Sequence, residues 1–94
     1  METYSAGLKC KGYQQITVSS TALALTVPAG TKRAVIGVEA QPIRYRLDGT
    51  NPTASVGFNV KADVTFEIVG NEAIKALKMI RTGTDATVNV HYFG

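Results

Sequence analysis

The segment Ile43-Arg44-Tyr45-Arg46-Leu47 alternates apolar and cationic side chains one for one, then stops at Asp48-Gly49. A period of two sends Ile43, Tyr45 and Leu47 to one face and both arginines to the other, as in a strand with one side against a core. Gly49 accepts the positive φ that a tight turn requires, and Asn51-Pro52 prolongs the break because proline cannot continue a central strand. Polar and small residues then run to Gly57.

The same period recurs along the chain. It pairs Ile16 with Val18, and Leu23 with Leu25 and Val27. It places Ala34, Ile36 and Val38 inward, then Phe58 and Val60, then Val64, Phe66 and Ile68 with Thr65 and Glu67 outward. It ends with Val88, Val90 and Tyr92 inward. Turn residues separate these runs; in Pro28-Ala29-Gly30-Thr31, Pro28 suits the second turn position and Gly30 the next. Gly70-Asn71-Glu72 is a further break, and only 73–81 after it is ambiguous. Its residues favour helix, yet it is short and leads into the hairpin-like Thr82-Gly83-Thr84-Asp85. We read 75–81 as the hairpin partner of the last strand, after one helical turn near 71–74.

About seven or eight short strands divided by Gly, Pro and Asn/Asp turns predict an all-β fold, a small antiparallel β-sandwich or jelly roll. Long helices, which βαβ units need, are missing from the pattern. Residues 1–12 have no clear period and read as an N-terminal arm or leading loop, leaving a single sandwich domain over 13–94.

Ninety-four residues suit one domain and bury a modest core. A single cysteine, Cys10, rules out an intrachain disulfide. Small domains without such staples commonly gain stability by self-association, so a homo-oligomer is expected. No apolar run approaches the roughly 20 residues that cross a bilayer. Met1 to Ser5 lacks the basic start and apolar block of a secretory signal, which predicts a protein made in a cytoplasm, with no membrane partner. The net charge of +3 is spread over scattered lysines and arginines, whereas nucleic-acid binders concentrate charge on one face. No nucleic-acid partner is expected.

Candidate reactive residues each have a plainer reading. His91, the one histidine, alternates outward and lacks companions for a metal site. Cys10 lies between Lys9 and Lys11, which favour a thiolate, but no base accompanies it in the sequence. Asp48 and Asp85 serve as turn residues, and Glu39 and Glu67 face outward along strands. Gly30 and Gly83 punctuate turns and do not open a phosphate-binding helix. The chain is therefore expected to be no enzyme and to use no cofactor. Arg44 and Arg46, on one strand face, suit either carboxylate pairing across a subunit contact or a charged guard on an edge strand.

The blocks Val27-Pro28-Ala29-Gly30, Ala34 to Glu39, Arg44-Tyr45-Arg46, Asp48-Gly49-Thr50, Pro52-Thr53-Ala54, Gly57 and Asn89-Val90-His91-Tyr92 occur in that order. In this the chain resembles a group of small tailed-bacteriophage virion proteins encoded among head and tail genes, over about residues 22–93. Ile36-Gly37-Val38 and the Lys-rich 75–78 segment lie outside the shared pattern. The resemblance implies a jelly-roll-like structural protein located in the virion, a capsid decoration or cement protein. As partners it implies the major capsid protein and further copies of the chain, arranged as a homotrimer. The contact surfaces we expect are Arg44, Arg46, Asp48, Asn51 and Thr53, together with Lys9 and Lys11 of the arm. Two other classes stand beside this reading. One is a tail, fibre or head-to-tail accessory protein binding host-surface glycans, against which the lack of Trp and the inward Tyr45 count. The other is a small cupin-like enzyme, against which the scarcity of His counts.

Overall fold

The two-residue periods become eight strands and one short helix over residues 7–94, the part described by this computed structural model. The strands are β1 (Cys10–Val18), β2 (Leu23–Ala24), β3 (Arg33–Glu39), β4 (Ile43–Arg46), β5 (Phe58–Val60), β6 (Thr65–Val69), β7 (Lys78–Arg81) and β8 (Ala86–Phe93), with α1 (Asn71–Ala76) preceding β7. They form two four-stranded sheets, ordered β1-β8-β3-β6 and β2-β7-β4-β5. Every neighbouring pair is antiparallel. First pairs with last (β1 with β8), second with seventh, third with sixth and fourth with fifth, the sheet changing at each step. A folded ribbon wound in this way has the strand order of a jelly roll.

The core lies between the sheets and is built from the residues the alternation points inward. In β8, Ala86, Val88, Val90 and Tyr92 are buried. Ala34, Ile36 and Val38 of β3 lie beside them, and Ile43, Val60 and Met79 face them from the second sheet. Helix α1 carries the chain from one sheet to the other and adds fully buried Ile74, followed by Leu77.

Several expectations change. β7 is not the hairpin partner of β8: it lies between β2 and β4 in the opposite sheet. Strand length accounts for this. The eight residues of β8 match the long β1 and β3 on either side, whereas the four of β7 match the four of β4. The 82–85 loop is thus a crossover between sheets, and an Arg81–Asp85 ion pair of 2.5 Å spans it. The ambiguous 73–81 segment contains both predicted elements, helix to Ala76 and strand from Lys78, with the helix starting at Asn71 inside the expected break. β2 ends at Ala24; Leu25 and Val27 still pack on the core without continuing a strand. The Pro28 turn closes through Thr31 N donating to Pro28 O, so Pro28 occupies the first turn position and Ala29 the second. β1 begins at Cys10, three residues inside the expected arm, while residues 1–6 of that arm lie outside the described part.

Buried Tyr92 ties β8 to β1, the outermost described strand of the first sheet. Its hydroxyl donates to Gln14 Oε1 at 2.6 Å, and the same oxygen accepts from Thr26 N at 3.3 Å. Burial pushes the phenol up to about 12. In the unfolded chain it ionises near its ordinary value of about 10. Its contribution to stability is therefore complete below about pH 10 and is lost as the pH rises toward 12. Urea unfolding between about pH 9 and 11.5 should show this decline in the wild type and a shallower one in Tyr92→Phe, which has no proton to lose.

Candidate functional site

Beyond Arg46 the β4 alternation continues into a loop that folds back onto its own strand. The Arg44 guanidinium fastens it: Nε donates to Ala54 O at 3.0 Å and Nη1 to Gly57 O at 2.8 Å. Within the loop Thr53 Oγ1 accepts from Ser55 N and Val56 N, and the Thr53 and Val56 backbones bond to each other in both directions. Such side-chain bonds let a threonine hold a turn without flanking secondary structure. Pro52 is buried beneath the loop. At the loop's start Asp48 receives Arg46 through both carboxylate oxygens and also accepts from Thr50 N. Hydrogen bonding to Arg46 holds the Asp48 carboxyl below the usual carboxylate range and raises the Arg46 guanidinium in turn.

The apolar row of β4 and β5 emerges from the sandwich beside this loop. Ile43 and its partner Val60 are buried, while Tyr45 is half-buried and its partner Phe58 is 71 % exposed. Leu47 is 41 % exposed and Val56, from the loop, 51 %. The aromatic rings run in a line: Tyr45 stacks on Phe66 of the other sheet at 4.9 Å, and Phe58 leans on Tyr45 at 5.5 Å. Between them opens a groove of about 620 Å³, lined by Tyr45, Leu47, Val56, Gly57 and Phe58 and rimmed by the Arg46–Asp48 pair. This corrects the inward placement of Leu47 and Phe58. Both keep the parity of core residues, but Leu47 follows the last residue of β4 and Phe58 opens the outermost strand, where the opposite sheet no longer covers them. Val64, also expected inward, is partly exposed next to the β6 edge.

The residues singled out from sequence fall into two groups. Arg44, Arg46, Asp48, Asn51 and Thr53 belong to one unit, the loop and the strand beneath it. Arg44 acts inside that unit as a fastener, and Arg46 carries its own counter-charge; Asn51 is exposed. Lys9 and Lys11 lie elsewhere, at the β1 edge on the far side of the sandwich from β5 and β6, where Lys9 exchanges two backbone bonds with Gly94. What sequence reasoning missed is the apolar groove itself. Leu47 and Val56 flanking the turn block were the available signal.

The other candidates have ordinary surroundings. Exposed Cys10 makes a weak thiol contact to Gly12 O at 3.7 Å. His91 stands on the outer face of the first sheet in an aromatic row, 5.2 Å from Tyr13 and 6.2 Å from Phe93. Glu39 accepts from Asn89, and Glu67 pairs with Arg33 at 3.6 Å. Among the described residues no group of three or more His, Cys, Asp or Glu side chains is placed to hold a metal ion. The chain matches no protein-family model, no curated protein and no solved structure.

Proposed function

We propose that the chain is a non-enzymatic structural protein of a bacteriophage virion, a decoration or cement protein that binds the major capsid protein and braces the head across capsomer joints. The observation that carries the reading is the patch of Leu47, Val56 and Phe58 around a groove whose loop is fastened in place by Arg44. Clustered apolar exposure of this kind marks contact surfaces, and a loop already held in shape loses less entropy on docking. The patch borders the blocks on which the resemblance rests: Leu47 and Val56 lie between them and Phe58 follows Gly57 directly. The jelly-roll order agrees with that resemblance, although the same architecture serves capsid proteins, lectins and cupins alike and does not select among them.

Cementing works by mass action: copies that bind only the assembled shell favour it over its dissociated parts. The gain is about 2.7 kcal/mol per site when free protein stands at 100 times Kd. Adding the purified protein to undecorated capsids should give saturable binding and raise the temperature at which the shells rupture. Neither effect at any concentration would reject the proposal. The accessory, glycan-binding reading has one favourable observation, the row of Tyr13, His91 and Phe93 on an outer sheet face, with Gln15 and Asn89 beside it. Binding on a glycan array by a protein that ignores capsids would select it.

A further inference from the structure

We propose that one end of the sandwich docks double-stranded nucleic acid, with lysines on the phosphate backbone and no reading of base sequence. This surface is not the groove, and the proposal does not rest on the capsid reading.

The first observation is where the lysines lie. Cys10, Phe93, Arg33 and Val69 share one level of the first sheet, so β1 and β3 begin at the end where β8 and β6 finish. Lys9 precedes β1 and exchanges backbone bonds with Gly94, while Lys32 precedes β3 and donates its N–H to Phe93 O. The two flank the end of β8, two strand spacings or about 9.5 Å apart. Lys11 lays its ammonium end against Gly30 in the adjoining turn. Helix α1 passes between the sheets at this same end and exposes Lys75, and Lys78 then opens β7. Five of the six lysines therefore share one end. Lys61 sits at the other, with Glu39, Asp63 and the Arg81–Asp85 pair. Cations dispersed along the sequence are neighbours in the fold, so their dispersal no longer argues against a nucleic-acid partner.

The second observation is which cations are available. All four arginines are engaged: Arg33 with Glu67, Arg46 with Asp48, Arg81 with Asp85, and Arg44 on two loop carbonyls. Among the described residues no carboxylate lies within ion-pair distance of any lysine. Spacings near the Debye length of roughly 8–10 Å let these lysines act together on one polyanion.

Composition then selects the partner. Protein interfaces are centred on apolar side chains and depleted in lysine. No exposed large apolar side chain stands among these lysines: Leu47, Val56 and Phe58 border the groove, Tyr13 and Val69 face outward from the first sheet, and Val64 lies at the far end. A bilayer would likewise find nothing there to take into its headgroup layer. Unpaired bases would find no ring to stack on, since exposed Tyr13, His91 and Phe58 stand on other faces. A duplex backbone requires only point charges, which lysine supplies. With the arginines engaged, no guanidinium fork remains for base edges.

Fluorescence anisotropy with short labelled duplexes of unrelated sequence tests the proposal. The wild type should bind them alike, and log K should fall against log salt with a slope of about −4. Lys9, Lys32, Lys75 and Lys61 are all exposed, so glutamine variants should keep a native far-UV circular dichroism spectrum. Each of Lys9→Gln, Lys32→Gln and Lys75→Gln should reduce the slope by about 0.9, and the triple variant should bind at least tenfold more weakly at low salt. Lys61→Gln should leave the slope unchanged. The proposal is overturned by no duplex binding at about 20 mM salt, by a triple variant that binds like wild type, or by Lys61→Gln matching the other single variants. Tighter binding to polyglutamate or to phosphatidylserine vesicles than to the duplex also overturns it, in favour of an acidic protein or a membrane. Capsid decoration is scored separately, and failure in either assay leaves the other reading standing.

Discussion

Replacing Ile36 by alanine should lower the unfolding free energy by about 2–5 kcal/mol. Ile36 is fully buried at the middle of β3, with Phe66 of β6 beside it on one side and Val90 of β8 on the other. Truncation there removes three carbons from a site whose neighbours are strand residues held by ladders on both flanks. The sheet cannot close over the gap, so lost transfer energy and a residual cavity add together. Domains of this size are stable by on the order of 5–15 kcal/mol in total. The substitution therefore consumes a large share, and the melting midpoint should fall by on the order of 10–30 °C. Chemical denaturation at fixed protein concentration measures it, the fixed concentration being needed if copies associate. Ile36→Val, which removes one methyl, should cost about 0.5–1.5 kcal/mol. A loss under 1 kcal/mol for alanine would mean that β3 is not the centre of the core.

Period-two patterning revealed the strands because in a two-layer fold the inward parity is also the buried parity. Val88, Val90 and Tyr92 illustrate this, with Asn89 and His91 on the opposite face. Parity says nothing of where one sheet ends over the other. Leu47 and Phe58 have the right phase and the wrong environment, so the groove they help form was hidden in a pattern that looked like core. Partner choice was equally invisible for β7: adjacency to β8 suggested a hairpin, and only the lengths of all eight strands together decide which pairs fill two sheets. Arg44 shows a further limit. A sequence displays its charge and invites an acidic partner, while its actual acceptors are carbonyl oxygens ten and thirteen residues away. The turn block was legible in its chemistry, since Asp48, Gly49 and Thr53 each do the local work their side chains predict.

Three glycine-to-alanine substitutions should separate the two demands that the groove makes on its backbone. Gly57 has φ +133°, where side chains strain the chain. A Cβ there would also meet Tyr45 O and Pro52 Cβ at 3.1 Å and Arg44 Cβ at 3.3 Å. Gly49 has φ +81° with nothing among the described residues within 4 Å of such a Cβ, so it carries the conformational demand alone. Gly83 carries neither. Residues forced into unfavourable backbone regions cost about 1–3 kcal/mol, and crowding a packed site adds a similar amount. Stability losses should rank Gly57→Ala, then Gly49→Ala, then Gly83→Ala, the last within about 0.5 kcal/mol of wild type. Because Gly57 O is one of the two carbonyls that Arg44 grips, Gly57→Ala should also loosen the loop and weaken whatever docks in the groove. Hydrogen exchange at Ser55 and Val56 should accelerate in that variant and not in Gly83→Ala. Equal losses for Gly57→Ala and Gly49→Ala would show that the loop yields to a methyl group, and that the groove wall is softer than the Arg44 fastening implies.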